Sequence, residues 1–513
     1  MLPIAIGYAS FGVCIVVILA LNYLIVKYYS DKHEAEKLTT VVAVLGLTIT
    51  LLCLFIIPVD ILNVSTMSDQ GGNVTLSTSD INFRNDSIRI IYYVLYALIL
   101  GFALVLIPFA YFYFEEYDEG LTTCQRVYAG CKYTTFLIVF MVVLLIVGAF
   151  IRPGSSKPVD NQNVKDWIQD EIMNQNAAEA SLMFAIACLT LLGFIVWISY
   201  TAYGLSAMPM GLIKGKRRVS DDRDQIDSDL SKTRERVGFL SSKNASGKNM
   251  SSRDEANLSL LQSRERALQR RSSRLDGSEK GIKKILVIFR PFSFIFGFVF
   301  LLVSFLIVIS IVLSIIDKLT SSVCGSSCGF LTTYPKLKNP VDLLLSLLAP
   351  YFPLDFIILG LLITFVYFST LAGIVRIGIR FIWIKMYEFL PRRTAPQGLL
   401  MATVLLMLAN LCMNVQILTL APRYGMFGTQ VWFNATSQAV SPCSLDAPPN
   451  ACQMTQIGVL SSRIQMGTSF FGIVYYYATW VFVGTFLIGL VVSLIRKRQS
   501  NVVAYRDDSD EDF

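Results

Sequence analysis

Nine apolar runs, each close to or above the length that crosses a bilayer, are separated by polar stretches, one of them long. They fall near Ile4 to Val26 and residues 38–57, 89–114, 133–151, 179–204, 286–315, 342–374, 397–420 and 469–495. About 20 apolar residues let a helix cross the hydrocarbon core, and in lipid only a helix or a closed barrel satisfies its own backbone. The expected fold is therefore all-α, a polytopic membrane protein with about nine transmembrane helices.

The flanking charges give these helices a direction. No basic segment precedes the first run, which is long for a signal peptide and reads as a retained helix. Lys27, Lys32 and Lys37 follow it, so the positive-inside rule places the N-terminus on the lumenal or extracellular side and the C-terminus in the cytosol. Arg126, Lys132, residues 205–285, Arg376 to Arg393 and Arg496-Lys497-Arg498 then all face the cytosol. Four segments result: helices 1–5 in residues 1–204, a basic cytosolic loop in 205–285, helices 6–9 in 286–495 with a lumenal loop at 422–468, and an acidic tail in 496–513.

Composition agrees: of 513 residues, 54% are hydrophobic and only 16% charged, which excludes a set of ordinary soluble domains. The glycosylation sequons at Asn63, Asn73, Asn85 and Asn434 lie in loops expected outside. Those at Asn244, Asn249 and Asn257 fall in the cytosolic loop and run against this topology. Cys443 and Cys452, and Cys324 and Cys328, face the oxidising side, where local pairing gives two disulfides, although spacing alone leaves the connectivity open.

Catalytic chemistry is poorly supplied, and no enzyme is expected. His33 is the single histidine, which removes histidine-rich zinc sites and makes a Ser/His/Asp triad improbable. Residues 211–216 lack the spacing and the Ser/Thr of a phosphate-binding loop. Any pumping must draw energy from a partner or an ion gradient.

Ionisable groups at membrane depth are costly, so each is a candidate site. Asp355 follows Pro350 and Pro353 in a run long enough for a half-helix and a full span, the arrangement of many transport sites. The competing reading makes Asp355 a helix cap at an outer interface. Asp60, in a second Pro-x-Asp, is a further pathway candidate, although a solvated helix end is its default. Glu115 and Glu116 close span three after an aromatic belt and are candidates for a cytosolic gate.

Between Lys214 and Lys284 stand 19 basic and 11 acidic residues, a net charge of +8 against +7 for the whole chain. A loop of that sign is drawn to anionic lipid. Leu258, Leu261, Leu268 and Leu275 are spaced for a short amphipathic helix, against the alternative of a solvated linker. Arg376 to Phe389 has the composition of an interfacial helix and includes Tyr387-Glu-Phe-Leu390, the pattern of a clathrin-adaptor sorting signal.

Several motifs in order then carry a resemblance. They are Pro58-Val-Asp-Ile61, Tyr111-Phe-Tyr-Phe-Glu-Glu116, Tyr200-Thr-Ala-Tyr-Gly-Leu-Ser-Ala-Met-Pro209, Leu212-Ile-Lys-Gly215, Phe352-Pro-Leu-Asp355, Leu420-Ala-Pro-Arg-Tyr424 and Asp446-Ala-Pro448. Together with the acidic tail they resemble the limb-region-1-like membrane protein family, in its lysosomal cobalamin (vitamin B12) transport branch. The resemblance implies a lysosomal, multi-pass protein that helps move cobalamin to the cytosol, as conduit or as escort of a subfamily D ABC half-transporter. Cobalamin would then be substrate, and no cofactor is expected. The family's lipocalin-receptor branch implies a different function, that of receptor or endocytic adaptor. Expected partners are membrane lipid, the ABC half-transporter, a clathrin adaptor and further copies of this chain, with no nucleic acid.

Overall fold

The computed structural model describes residues 2–31, 37–69, 71–72, 77–115, 123–150, 167, 175–215, 219–245, 257–266, 268–269, 290–322, 325, 330, 332, 335–381, 384–434, 438–448, 451–466 and 469–496. Eight of its helices are long and apolar enough to cross a membrane. They are α2 (Lys37–Ser65), the continuous pair α3 (Thr78–Gly101) and α4 (Ile107–Glu115), α5 (Thr123–Phe150), and the continuous pair α6 (Ala177–Val196) and α7 (Ala202–Lys214). After α8 (Val219–Ala245) and α9 (Arg290–Ser321), and past the short α10 (Pro340–Leu348), come α11 (Leu354–Ile377), α12 (Pro396–Leu420) and, beyond two short helices, α15 (Ser469–Ile495). Of these, α9, α11, α12 and α15 complete the eight. The first expected span is the helix α1 (Leu2–Tyr29), in which Ile15–Tyr29 counts as a shorter apolar helix among the described residues. The molecule is thus a helical polytopic membrane protein, with two small hairpins among the described residues.

Two compact units emerge, one of Met1–Ala207 with Val303–Leu490 and one of Met208–Leu302 with Val491–Phe513. In the first, α12 forms the core: 83% of its apolar window is buried, against 11% for α5. It packs on α2 and α6, while α5 packs on α4 and α6 and leaves a broad apolar face for lipid. Residues Phe102–Leu106 and Trp197–Thr201 are π-turns inside the two longest helices. The second π-turn lies where α6 and α7 cross α11. There the backbones meet, since an added Cβ on Gly204 would strike Ser369 and one on Gly373 would strike Tyr200. The Thr201 and Thr370 hydroxyls bond at 2.9 Å, and the Arg376 guanidinium donates to the carbonyl of Ala207. Small residues at such a crossing let helices approach closely in lipid, where packing replaces the hydrophobic drive. Tyr200, Thr201, Gly204 and Ala207 of that motif serve the helix crossing.

Where an interfacial helix was expected over Arg376 to Phe389, the chain instead forms an antiparallel hairpin of β1 (Ile379–Phe381) and β2 (Ile384–Tyr387). Gly378, at φ +73°, ends α11 in a conformation that residues with a Cβ resist, and the β-branched and aromatic residues after it suit a strand.

The last part of the first unit is a compact cap. Helix α13 (Pro422–Phe427), the hairpin of β3 (Val431–Asn434) and β4 (Ala439–Pro442), and helix α14 (Gln456–Met466) follow one another here. Trp167, Phe427, Cys443, Leu445, Cys452 and Met454 form its apolar centre, and the Trp167 indole donates to the Ala447 carbonyl at 3.0 Å. In the second unit α8 is joined to a helical segment at 257–266 by an Arg234–Glu265 ion pair of 2.9 Å. Leu258 and Leu261 lie in that segment, Leu268 is buried, and Leu275 lies outside the described residues.

Candidate functional site

Helix α2 runs through Pro58 to Ser65, so Asp60 lies inside a helix and not at its solvated end. It is fully buried, with Tyr92 facing it. Its two oxygens accept the backbone N–H groups of Gln456 at 3.1 Å and Ile457 at 2.8 Å. The first turn of a helix leaves such donors without partners, and a carboxylate there meets both the hydrogen-bonding need and the helix dipole. Asp60 thus caps α14 from another helix.

Asp342 on α10 repeats the device, accepting from Arg423 N at 3.2 Å and Tyr424 N at 2.9 Å in the first turn of α13. Burial pushes its carboxyl up to about 6, against the opposing pull of those two N–H groups. The expected break in the seventh run is present: α10 ends at Leu348, Pro350 and Pro353 lie in the turn, and α11 starts at Leu354. Asp355, only 2% exposed, accepts the Tyr424 hydroxyl at 2.8 Å on Oδ2, while Oδ1 has no hydrogen-bond partner among the described residues. Burial first, and the carboxylate second, raise the Tyr424 hydroxyl above the ordinary phenol value. Asp342, Tyr424 and Asp355 therefore form one chain of contacts from α10 through α13 to α11.

A second polar locus went unread in the sequence. Lys318 lies three residues from the end of α9, and its ammonium donates to Thr419 Oγ1 of α12 at 3.2 Å. It lines a cavity of about 20 Å³ with Gln416, Thr419, Gln465, Tyr475 and Thr479. Gln416 is 3% exposed; its amide N–H donates to Thr479 Oγ1 at 3.1 Å and its oxygen has no partner among the described residues. Lys318 lies beyond residue 315, where the expected sixth span ended. Arg463 of α14 was likewise missed; it is buried and donates to Tyr93 at 2.7 Å, with Glu179 at 3.7 Å.

The other expected residues are scattered. Cys443 and Cys452 are disulfide-bonded, whereas Cys324, Cys328, Asn73 and Glu116 lie outside the described residues. Glu115 is exposed at the end of α4. The Asn63 amide donates to Asn85 at 3.2 Å, both side chains being half-buried, and Asn434 ends β3. Tyr387 shares a 3.0 Å hydrogen bond with Tyr111, its ring rests on Gly398, and Leu390 is half-buried. Among the described residues, no three His, Cys, Asp or Glu side chains gather as a metal centre.

One stability effect follows directly. Replacing Cys443 and Cys452 by serine opens a short loop, and the chain-entropy estimate for such a loop is about 2–3 kcal/mol. The expected result is a lower Tm for the variant and a larger fall of Tm on reduction for the wild type than for the variant. A reductant-insensitive wild type would exclude a stabilising bond.

Apolar spans packed around α12, glycine-mediated crossings and a disulfide-bonded cap define a multi-pass membrane protein. The chain belongs to the LMBR1-like membrane protein family, whose model matches residues 7–287. It is 62% identical over 512 residues to the probable lysosomal cobalamin transporter of Dictyostelium discoideum, covering 100% of both chains. To the protein of the same name from Nematostella vectensis it is 35% identical, over 98% of this chain and 97% of that one. To the lysosomal cobalamin transport escort protein LMBD1 of Mus musculus it is 34% identical, over 99% and 97%. No solved structure matches.

Proposed function

We propose that this chain is a multi-pass component of the lysosomal membrane required for cobalamin export to the cytosol. The carrying observation is its end-to-end correspondence with relatives that bear that function in their names. Between conduit and escort, we favour escort. Asp60 and Asp342 are engaged in holding helices together. Without a phosphate-binding loop in its own sequence, the chain would serve a partner that supplies the energy, the subfamily D ABC half-transporter of the family resemblance, and have no catalytic role. The adaptor reading is not carried forward, because Tyr387 is held by Tyr111 and Gly398.

Release of labelled cobalamin from lysosomes of cells lacking this chain tests the proposal. Release should fall and return with the chain only when the ABC partner is present. Rescue without the partner would make the chain a conduit, and normal release in its absence would overturn the proposal.

A further inference from the structure

The free thiols of this chain sort sharply by position. Among those described, Cys53 and Cys412 are buried and Cys188 is half-buried, whereas Cys124 and Cys131 of α5 are exposed. Seven residues are close to two helical turns, so these two thiols share one face of α5. Their Cα atoms stand about 10 Å apart along the axis, beyond the roughly 7 Å that a disulfide allows. No metal cluster claims them among the described residues.

The face they occupy is open to lipid. Tyr128, Val142 and Ile146 lie on it and are exposed, and α5 is the least buried of the apolar spans. Depth follows from the helix itself. At the helical rise, the stretch from Cys131 to the end of α5 at Phe150 is about 28 Å long, the thickness of the hydrocarbon core. Cys131 therefore stands at a membrane boundary when Phe150 stands at the other. The neighbouring side chains mark the same level: the Lys132 ammonium lies 5.6 Å from the centre of the Tyr133 ring, which packs on Phe112 of α4 at 5.1 Å. Lysine and tyrosine side by side are an interfacial anchor, and Arg126 with Lys132 gives this end the sign of the cytosolic side.

We propose that Cys124 and Cys131 form a paired S-acylation site that takes long-chain fatty acyl groups. Exposed thiols beside a membrane boundary are where such transfer occurs. Each thiol sulfur attacks the carbonyl carbon of a fatty acyl-coenzyme A, the donor a membrane acyltransferase uses. A new sulfur–carbon bond forms, the bond to the coenzyme A sulfur breaks, and the thiol proton leaves with coenzyme A as its free thiol. The acyl chains then run along Val142 and Ile146 and cover the face of the span that packs least. The site is separate from cobalamin export, and its test does not depend on it.

The full-length chain is expressed in cells fed an alkyne-tagged palmitate analogue, then purified and coupled to a fluorophore. Label should appear on the wild type and be released by neutral hydroxylamine, which cleaves thioesters. Exchange of the released acyl groups for a maleimide–polyethylene glycol tag should add up to two tags to the wild type. Cys124→Ser and Cys131→Ser should each remove one, and the double variant should carry none. Both side chains are exposed, so the variants should keep the wild-type Tm; should the double variant fail to accumulate, the wild type and the single variants decide. A wild type without hydroxylamine-sensitive label, or a tag count unchanged by either single variant, would overturn the site. So would deacylated thiols that an impermeant maleimide reaches only after the lysosomal membrane is opened, because acyl-coenzyme A is on the cytosolic side.

Discussion

Gly373→Ala is expected to leave little folded protein in the membrane. The new Cβ would sit 2.9 Å from the carbonyl carbon of Tyr200 and closer still to its oxygen, and both are backbone atoms inside a helix. No rotamer change relieves such a contact, so α11 would have to move away from the π-turn at Trp197–Thr201. Separation would stretch the Thr201–Thr370 bond, the Tyr200 hydroxyl's bond to the Gly378 carbonyl, and the Arg376 contact with Ala207. Overpacking alone costs about 1–3 kcal/mol, and the lost polar contacts add to it because lipid offers no replacement partners. Gly204→Ala, whose Cβ would lie 2.6 Å from the Ser369 carbonyl carbon, should behave alike. Gly484→Ala is the control: nothing lies within 4 Å of its added Cβ, and alanine is the better helix former. The check is the monodisperse fraction after detergent extraction, with Tm. Wild-type yield and Tm for Gly373→Ala would show that the two helices do not cross at these glycines.

The second large effect is expected at Asp60. Alanine there leaves the N–H groups of Gln456 and Ile457 buried without acceptors, at about 1–3 kcal/mol each. Asparagine keeps one accepting oxygen but sets an NH₂ against the other N–H, so its effect should be intermediate. The order expected in Tm is wild type, Asn, then Ala, with proteolysis inside Gln456–Met466 rising in the same order. Equal Tm and protection in all three would remove the capping role. An Asn variant that stays protected yet loses cobalamin release would return this carboxylate to a pathway.

Much of the helical layout was legible because hydropathy over twenty residues is set by the solvent, here the bilayer. Helix ends were less so. The second helix runs on past its apolar stretch to Ser65, and α9 to Ser321, since partners from distant segments cover the polar residues there. Asp60 therefore read as a solvated end, and Lys318 did not register as part of a site. The prolines at 350 and 353 did mark a real interruption, because a proline ring and its missing N–H act locally. The stretch after α11 misled, its alternation of basic and apolar residues serving a hairpin as well as a helix. Caps made in trans leave no local pattern: neither Asp60 nor Asp342 is near in sequence to the helix it serves.

That separation in sequence has a consequence for biosynthesis. Asp60 belongs to an early helix, and its donors are 396 and 397 residues away. At typical elongation rates the carboxylate waits roughly 20–80 s before those residues exist. Until then the early helices hold a group that has no place in lipid, so they must stay where water or the insertion machinery can reach it. A chain broken off before α14 would carry that unsatisfied acid permanently, a mark by which the cell could distinguish unfinished from finished protein.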